Sequence, residues 1–282
     1  MLSIRTDVAS LNAQMNLNNT QDSLNNTIDQ LSSGYRINNP GDDAAGLAIS
    51  NNLTKQIADY NQATSNANDG LSVIQTAEAG LSDASNILTR LSELAMQSSS
   101  DGVGNSERQY IQTEASALTA ELQRVSQVTQ YDGTSLLNGV TTTLNFQVGI
   151  GATSNDSISF ATLDATVSTL FGTGASTING QVTIDLTTSS AATAALATIQ
   201  SALAQLNTEN ATLGAAGDRF QDTISDISAM STALSAANSR ILDVNVAQAT
   251  SNLSQEQVLA QSGISVLATA NQLPQLALKL LS

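Results

Sequence analysis

Several side chains that carry enzyme chemistry are missing from this chain of 282 residues, which has no cysteine, no histidine and no tryptophan. Without cysteine there are no disulfides and no thiol chemistry. Without histidine the chain lacks the commonest general acid–base group and the commonest metal ligand in proteins. No HExxH, CxxC or phosphate-loop motif occurs either. We therefore predict that the protein is not an enzyme and that it holds no cofactor and no metal.

Positive charge is also scarce, with 9 lysines and arginines against 24 aspartates and glutamates and a net charge of −15. Binding the phosphates of nucleic acid needs a basic patch, so nucleic acid is excluded as a partner. No apolar run is long enough to cross a membrane, so no membrane partner is expected. Residues 1–20 lack the continuous apolar segment of a cleaved secretory signal, and we expect any export to use another route.

Apolar residues in the segment 196–241 recur at steps that alternate between three and four. This heptad pattern predicts one helix that keeps a single face toward partner helices. At 1.5 Å per residue the helix would be roughly 70 Å long, which favours a rod over a compact globule. The heptad positions are Leu196, Ile199, Leu203, Leu206, Asn210, Leu213, Gly217, Phe220, Ile224, Ile227, Ser231, Leu234, Asn238 and Ile241.

Two shorter heptad seams precede the long one. The first seam consists of Ile74, Ala77, Leu81, Ala84, Leu88, Leu91 and Ala95, and the second of Ile111, Ala115, Leu118, Leu122 and Val125. The segment SSSDGVGNS at 98–106 is a loop between them. We expect both seams to pack against the long heptad, because each helix needs a partner to bury its apolar face.

The N-terminal segment carries two apolar patterns that differ by one residue in phase. The first is Ile4, Val8, Leu11 and Met15, and the second is Leu17, Leu24, Ile28, Leu31 and Tyr35. Together they predict an amphipathic helix over residues 3–33, with Gly34 as its C-terminal stop. The turn NNPGDD follows at 38–43, where Asp42 or Asp43 is expected to cap a helix that begins near Ala44. A pair of catalytic or metal-binding carboxylates is the alternative for the two aspartates.

From residue 140 onward the apolar pattern has a period of two. Phe146, Val148 and Ile150 alternate with polar residues, as do Ile158 and Phe160, and the loop between them predicts a β-hairpin. A further short strand is predicted from the alternation of Val182, Ile184 and Leu186. The segment 141–190 is rich in Thr, Ser, Gly and Ala, and we expect it to be the least regular and most exposed part of the chain.

The C-terminal segment returns to the heptad pattern, and Pro274 is expected to kink or restart its last turns. The predicted fold is mainly α: a long helical hairpin or coiled-coil rod with paired N- and C-terminal helices and a small β-hairpin region inserted mid-chain. The predicted divisions are 1–42 and 242–282 for the terminal helical pair, 43–140 and 191–241 for the rod, and 141–190 for the β region. Seam burial at roughly 1.5–3 kcal/mol per side chain is less than the cost of ordering 250–282, and intrahelical hydrogen bonds offset only part of the difference. We therefore expect residues 1–35 and 250–282 to be mobile in the monomer and to fold when copies pack together.

A charged group lies just off the first two seams. Arg90, Glu93, Leu94 and Glu114 are all expected to edge one exposed face of the helical rod. One interpretation is a solvated flank in which Arg90 pairs with an acid. The other is a contact surface, which an apolar Leu94 among polar neighbours would favour.

Three stretches resemble the conserved blocks of bacterial flagellins: LSSGYRINNPGDDAAGLAIS at 31–50, NANDGLSVIQTAEAGL at 66–81 and ANSRILDVNVAQATSNLSQEQVLAQSGISVLATANQLPQLALKLL at 237–281. The resemblance covers about 1–140 and 190–282, and the middle is that of a short flagellin with a minimal outer region. It implies an extracellular filament subunit for swimming motility, exported through the flagellar type III channel. It also implies an export chaperone and the junction and cap proteins as partners.

The resemblance further implies that both termini form the inner core of the filament homopolymer. The residues assigned to this self-assembly core are Ile4, Val8, Leu11, Leu24, Ile28, Leu31, Leu253, Ile264, Leu267 and Leu273. Some flagellins are ligands of the host Toll-like receptor 5, and the recognition motif of the family matches at Arg90, Glu93, Leu94 and Glu114. The chain departs from well-recognised flagellins at Thr89, Ser92 and Met96.

Two other functions stay open on the sequence. A hook–filament junction protein has ends that resemble flagellin, but a proline often follows its aspartate pair, where this chain has Ala44. A secreted coiled-coil adhesin or effector would share the heptads but would form no homopolymer. Electron microscopy after polymerisation separates the three, because only a flagellin gives long filaments.

Overall fold

The computed structural model describes residues 7–174, 176–178 and 181–281, and within these ranges the chain is mainly helical. The long helices are α1 Val8–Ser33, α2 Ala44–Ser99, α3 Asn105–Val128, α5 Ser189–Leu242 and α6 Val246–Leu281. A short helix, α4, spans Val167–Phe171, and single 3-10 turns occur at Ser154–Asp156 and Gly172–Gly174. The strands are β1 Gln130–Tyr131, β2 Thr134–Ser135, β3 Thr143–Gln147, β4 Ser157–Ala161, β5 Ser176–Ile178 and β6 Gln181–Thr183.

The helix boundaries follow local capping chemistry. The Asp7 carboxylate accepts a hydrogen bond from the Ser10 amide at 3.0 Å and caps the start of α1. Gly34 ends the same helix in the left-handed conformation, with φ of +79°, as its glycine predicted. At the start of α2, Asp43 Oδ1 accepts from the Gly46 amide at 2.8 Å, so Asp43 is the N-cap.

The neighbouring Asp42 does not cap the helix but stabilises the turn at 38–43. Its Oδ2 accepts hydrogen bonds from the backbone amides of Asn39 and Asn38 at 2.9 and 3.0 Å. These two bonds stabilise the ionised form and lower the pKa of Asp42 below its usual range. Both aspartates of the turn therefore act on the backbone. No group of three or more His, Cys, Asp or Glu side chains that could hold a metal occurs among the residues that the structure describes.

Two helices are continuous over a longer range than their sequence patterns indicated. The helix predicted to begin near Ala44 and the first seam belong to one helix of 56 residues, Ala44–Ser99. Helix α6 does not restart at Pro274, and its backbone runs through to Leu281. A proline leaves the carbonyl one turn before it without a partner, but a helix can continue when its other bonds are kept.

The chain divides into two compact units. The terminal unit consists of Met1–Ile57 and Thr232–Ser282, and the central unit of Ala58–Ser231. The domain limits at 42 and 242 stay a prediction; they fall in or beside the two linkers, 34–43 and 243–245, that separate α1 from α2 and α5 from α6.

The core of the central unit lies where α2, α3 and α5 meet. Helices α2 and α5 approach closely at Gly70, where an added Cβ would lie 2.6 Å from the Phe220 ring. The heptad residues of the three helices fill this core: Ile74, Leu81, Leu88, Leu122, Phe220 and Ile227 are buried, and Leu118, Leu203 and Ile224 are partly buried against them. The predicted seam positions of these helices thus point inward, while Leu234 is half-buried in the terminal unit.

Among the described residues the strands form three separate two-stranded antiparallel hairpins, of which β1–β2 precedes the β region and the other two lie within it. The predicted hairpin is present as β3–β4, in which Phe146 pairs with Ile158 and Leu144 with Phe160. The strands are shorter than the alternation indicated, because β3 ends before Val148 and β6 ends before Ile184. The β1–β2 turn at Asp132 and Gly133 has positive φ at both residues, the geometry that matches the twist of a hairpin.

The prediction that 141–190 is the most exposed part of the chain is wrong for its apolar residues. The segment contributes Val148, Ile158, Phe160, Ala165, Val167, Leu170, Phe171, Ile184 and Leu186 to the buried core. These side chains alternate with polar ones, so a segment of polar composition still presents a continuous apolar face to the helices.

No helix among the described residues is long and apolar enough to cross a membrane.

Candidate functional site

Helices α1 and α6 pair in antiparallel orientation in the terminal unit. The Ser10 hydroxyl donates to Asn271 Oδ1 at 2.7 Å near one end, and Tyr35 and Asp243 form an antiparallel bridge near the other. The least exposed positions recur at alternating steps of three and four. They are Ser10, Ala13, Leu17, Thr20, Leu24, Thr27 and Leu31 on α1, and Ala249, Leu253, Glu256, Ala260, Gly263, Leu267 and Ala270 on α6. We call these fourteen residues the paired seam.

The paired seam consists largely of small or polar residues. Gly263 shows how close the helices come, because an added Cβ there would lie 3.2 Å from Leu17 Cδ1. One oxygen of Glu256, Oε2, is buried without a hydrogen-bond partner. Small seam residues allow close approach but bury little apolar area, and an unpartnered buried carboxylate oxygen is costly. The contact between α1 and α6 is therefore weak for its length.

Eight large apolar side chains of the two helices lie outside the paired seam and are exposed. Val8 is 58 % exposed, Leu11 51 % and Met15 58 %, and these three follow one another at heptad spacing on α1. On α6 the exposed apolar residues are Val246, Val258, Leu259, Ile264 and Val266. We call these eight residues the exposed apolar faces. Large apolar side chains that recur on an exposed helix face indicate a contact with another molecule.

The residues predicted as a self-assembly core divide between the two surfaces. Val8, Leu11 and Ile264 belong to the exposed apolar faces, and Ile28 is exposed as well. Leu24, Leu31, Leu253 and Leu267 are half-buried in the paired seam. Ile4 lies outside the described residues, and Leu273 is described only as part of the α6 backbone.

The charged group on α2 and α3 forms an exposed ion-pair cluster. Arg90 Nη1 lies 2.8 Å from Glu93 Oε2, and Arg90 Nη2 lies 2.7 Å from Glu114 Oε1. Its Nε donates a second bond to the same Glu114 oxygen. The bonds to Glu93 and then Glu114 raise the pKa of Arg90 above its already high value, so the guanidinium stays charged. All three side chains are roughly half exposed, which makes this cluster accessible.

Leu94 does not share this exposed face. Its side chain is only 2 % exposed and belongs to the core of the central unit, so the prediction of an apolar residue on a polar flank is wrong. A third element explains the difference. The segment after β6 lies over the end of α2, where the Ser98 hydroxyl donates to the Leu186 carbonyl at 2.6 Å. A helix that is contacted on two sides buries a wider face than its heptad indicates.

Two buried polar side chains fix this segment, and the sequence analysis singled out neither. Gln112 donates to the Ile184 carbonyl at 2.9 Å and accepts from the Leu186 amide at 2.6 Å, as a neighbouring strand would. Arg108 donates to the carbonyls of Ser98 and Ser100 at 2.9 Å and so satisfies the C-terminal end of α2. The signal in the sequence was slight: Gln112 is one position after the seam residue Ile111, and Arg108 is three positions before it.

One carboxylate of the central unit, that of Glu209, lies in surroundings that disfavour its ionised form. Glu209 on α5 has one buried oxygen, Oε2, without a hydrogen-bond partner, and Gln205 donates to the other at 3.3 Å. Burial raises the pKa of Glu209, and the nearby charge of Asp164 raises it further. Burial also acts to raise the pKa of Asp164, but hydrogen bonds from Thr169 and Thr166 outweigh it and lower the value, so Asp164 keeps its charge.

A cleft of about 580 Å³ lies between the β3–β4 loop and α5. Its floor is apolar, with Tyr60, Ile158 and Ile227, while Asp222 and Asp226 stand at its rim beside Arg219. The polar rim consists of ordinary surface side chains, and the cleft holds no cluster of catalytic groups.

Comparison with known families matches most of the chain in two parts. Residues 4–142 match the model of the bacterial flagellin N-terminal helical region, and residues 196–281 match that of the bacterial flagellin C-terminal helical region. Between them lies 143–195, which contains the β3–β6 strands and α4. The match therefore covers the helical parts of both units.

Individual relatives span the whole chain. The flagellar filament 33 kDa core protein of Treponema phagedenis is 33 % identical over 288 residues, covering 99 % of each protein. Flagellin B of Vibrio anguillarum is 32 % identical over 373 aligned positions, again covering 99 % of each. Among solved structures, the crystal structure of Bacillus cereus flagellin superposes with a TM-score of 0.50 at 21 % identity, over 62 % of this chain and 94 % of that one. This last similarity concerns the fold alone.

Proposed function

Since the chain belongs to the bacterial flagellin family and is thus a structural subunit of the flagellar filament, we propose that the exposed apolar faces of α1 and α6 are its polymerisation surface. The family is structural and not enzymatic, in agreement with the absence of histidine and cysteine. Filament assembly places the protein outside the cell, where rotation of the filament supports swimming.

The observation that carries the proposal is the distribution of apolar side chains in the terminal unit. Nine of the fourteen residues of the paired seam are small or polar, while Val8, Leu11 and Met15 are more than half exposed on a second heptad face. Burying each of these side chains would contribute roughly 1.5–3 kcal/mol. A second copy of the same chain offers matching faces, and a head-to-tail contact between copies generates a helical polymer.

Charge at the polymerisation surface tests the proposal. The double variant Val8→Asp and Leu11→Asp should abolish filament formation in salt-induced polymerisation followed by electron microscopy. Val140→Asp is the matched control, because Val140 is 62 % exposed but lies in the β region of the central unit. Filaments of normal length from the double variant would refute the assignment of this surface.

A second candidate function is recognition by Toll-like receptor 5, through Arg90, Glu93 and Glu114. The exposed ion-pair cluster favours it, because a fixed guanidinium between two carboxylates presents both charges in a defined geometry. Leu94 is then a support beneath the surface and not a direct contact, because it is buried. We expect Leu94→Ala to weaken recognition only as far as it disturbs the packing of α2.

A receptor reporter assay with purified monomer decides this candidate. Arg90→Ala should reduce the response, whereas Arg124→Ala should leave it unchanged. Arg124 is a matched control because it is also an exposed arginine paired with a glutamate three residues away, Glu121, at the other end of α3. Equal responses from both variants, or no response from the wild-type monomer, would exclude the candidate.

The family relationship also supports partners other than the chain itself. We propose that an export chaperone binds the subunit before secretion through the type III channel, and that junction and cap proteins contact it at the ends of the filament. Apolar faces that are free in the monomer need protection before assembly, and a chaperone would provide it. Co-purification of the chain with its chaperone, lost in the Val8→Asp and Leu11→Asp variant or in a variant of the exposed residues of α6, would test which face it covers.

A further inference from the structure

Two linkers of the terminal unit are joined by backbone hydrogen bonds. The Arg36 amide donates to the Leu242 carbonyl, and the Val244 amide donates to the Gly34 carbonyl at 2.9 Å. These bonds bring the end of α1 beside the end of α5, although the residues are more than two hundred positions apart in the chain. We call residues 34–36 and 242–244 the clasp.

The Arg36 side chain strengthens the clasp at its centre. Its Nη2 donates to the Ile241 carbonyl at 2.7 Å, in the last turn of α5. The last carbonyls of a helix lack amide partners and carry partial negative charge, so a guanidinium is favourable there. On the other side, the Gln30 side chain of α1 donates to the Arg36 carbonyl at 3.2 Å. Arg36 therefore bonds to the ends of both α1 and α5.

The chain on either side of the clasp has little conformational freedom. Only residues 243–245 connect α5 to α6. Gly34 adopts φ of +79°, a conformation that other residues rarely take, and so fixes the direction in which the chain leaves α1. The next turn is held by Asp42, whose carboxylate accepts from two backbone amides. Small changes at the clasp are thus passed to the helices on either side.

The clasp itself is easily opened. An isolated two-stranded contact is marginal in water, and a backbone hydrogen bond exposed to solvent contributes only about 1 kcal/mol. The charge-assisted bond from Arg36 is the strongest single contact within it. Within the clasp the side chains of Tyr35 and Arg36 are both exposed, so no burial of these two side chains holds it closed.

We infer that the clasp is an adjustable joint in which Arg36 makes the main contact. The joint holds the α1–α6 pair on the ends of α2 and α5, and it sets the shape of the assembled filament. The joint is a property of the single chain. Only its effect on filament shape rests on the proposed function, because identical subunits in a helical polymer repeat any change in subunit shape along the whole assembly.

Hydrogen exchange on the full-length monomer tests the joint directly. In Arg36→Ala the Val244 amide should exchange about tenfold faster, which corresponds to the loss of about 1.4 kcal/mol. Arg36→Lys should give an intermediate rate, because an ammonium keeps the charge at the helix end but not the planar fork. Arg240→Ala is the matched control: it removes the same charge from the last turn of α5 without removing a clasp bond. An unchanged Val244 rate in Arg36→Ala, or an equal change in Arg240→Ala, would overturn the inference.

Electron microscopy of polymerised protein tests the consequence for the filament. Arg36→Ala should still polymerise but give filaments whose helical waveform differs from the wild type, while Arg240→Ala filaments should keep the wild-type waveform. Identical waveforms for wild type and Arg36→Ala would overturn the role of the joint in filament shape. If the wild type itself gave no filaments, the proposed function would fail, and the exchange rates of the monomer would still decide whether the joint exists.

Discussion

The ring of Phe146 meets the ring of Phe220 edge-on, with centroids 5.5 Å apart and an angle of 83° between the planes. Phe146 lies on β3 and Phe220 in the middle of α5, so this contact fixes the hairpin to the long helix. It is possible because Gly70 on α2 leaves room for the Phe220 ring. One aromatic pair and one glycine thus join three elements that are far apart in the chain.

Adding a methyl group at Gly70 should destabilise the central unit. The new Cβ would lie 2.6 Å from the fully buried Phe220 ring, so the ring or the helix must move. We expect Gly70→Ala to lower the free energy of unfolding by roughly 1–3 kcal/mol in urea denaturation. Gly214→Ala is the control, because nothing lies within 4 Å of its added Cβ and the gain in helix propensity should stabilise α5 by about 1 kcal/mol. If Gly70→Ala and Gly214→Ala changed the free energy of unfolding in the same direction, this packing would be contradicted.

The buried side-chain amide of Gln112 should contribute strongly to the stability of the fold, although the residue lies on a helix rich in polar residues. Gln112→Ala leaves the Ile184 carbonyl and the Leu186 amide unpaired in the core, at about 1–3 kcal/mol each. Gln109→Ala, at an exposed site three residues earlier, should change stability by less than about 0.5 kcal/mol. Thermal unfolding of both variants beside the wild type provides the measurement. Equal melting temperatures would show that the segment 184–186 does not depend on Gln112.

Glu209 should make stability depend on pH. Because burial raises its pKa in the folded chain, its favourable contribution is fully present below the unfolded pKa and is lost as pH rises through the folded pKa. Glu209→Gln removes the ionisation, so we expect it to be more stable than the wild type at neutral pH. The difference should vanish below about pH 4, where a glutamate is protonated in either state.

Unfolding of both proteins across this pH range checks the expectation. Asp218→Asn, an exposed carboxylate change on the same helix, controls for net charge and should show a much smaller dependence. If Glu209→Gln were instead more stable than the wild type only at low pH, a raised pKa of Glu209 in the folded chain would be ruled out.

Hydrogen exchange should distinguish the monomer from the filament at both ends of the chain. Most residues of the paired seam are small or polar, and the side chains of the exposed apolar faces are about half exposed or more in the described part of the terminal unit. We therefore expect weak protection of the amides in 1–35 and 250–282 in the monomer and strong protection after polymerisation. The amides of the central unit around Ile74 and Phe220 are the internal reference, because they are buried in the single chain. Strong protection of both ends in the monomer would argue against coupled folding and assembly.

The heptad spacing, the caps and the mid-chain alternation could be read from the sequence because each depends on nearby residues. The fold class is confirmed: the chain is mainly α, its N- and C-terminal helices are paired, and a β-hairpin lies between the helical parts. Gly34 and Asp43 act at the helix ends as their residue types predicted. A turn or cap needs only a few neighbouring atoms, so its signal is local.

Which helix faces are buried could not be read in the same way. On α1 the first apolar pattern, Val8, Leu11 and Met15, is exposed, and the face that includes Ser10 and Leu17 packs against α6. The reason lies in α6, whose Ala260 and Gly263 permit a close approach that larger side chains would prevent. A heptad shows that a face can pack, but the partner decides whether it does.

Leu94 and Gln112 are the opposite case, in which residues with a surface pattern are buried. Each stood beside a seam and had the pattern of a surface position, yet each is buried because the segment after β6 covers the ends of α2 and α3. The sequence by itself determined the helices, their ends and the family. Tertiary structure alone decided the burial of positions beside the seams, such as Leu94 and Gln112, because it depends on elements from distant parts of the chain.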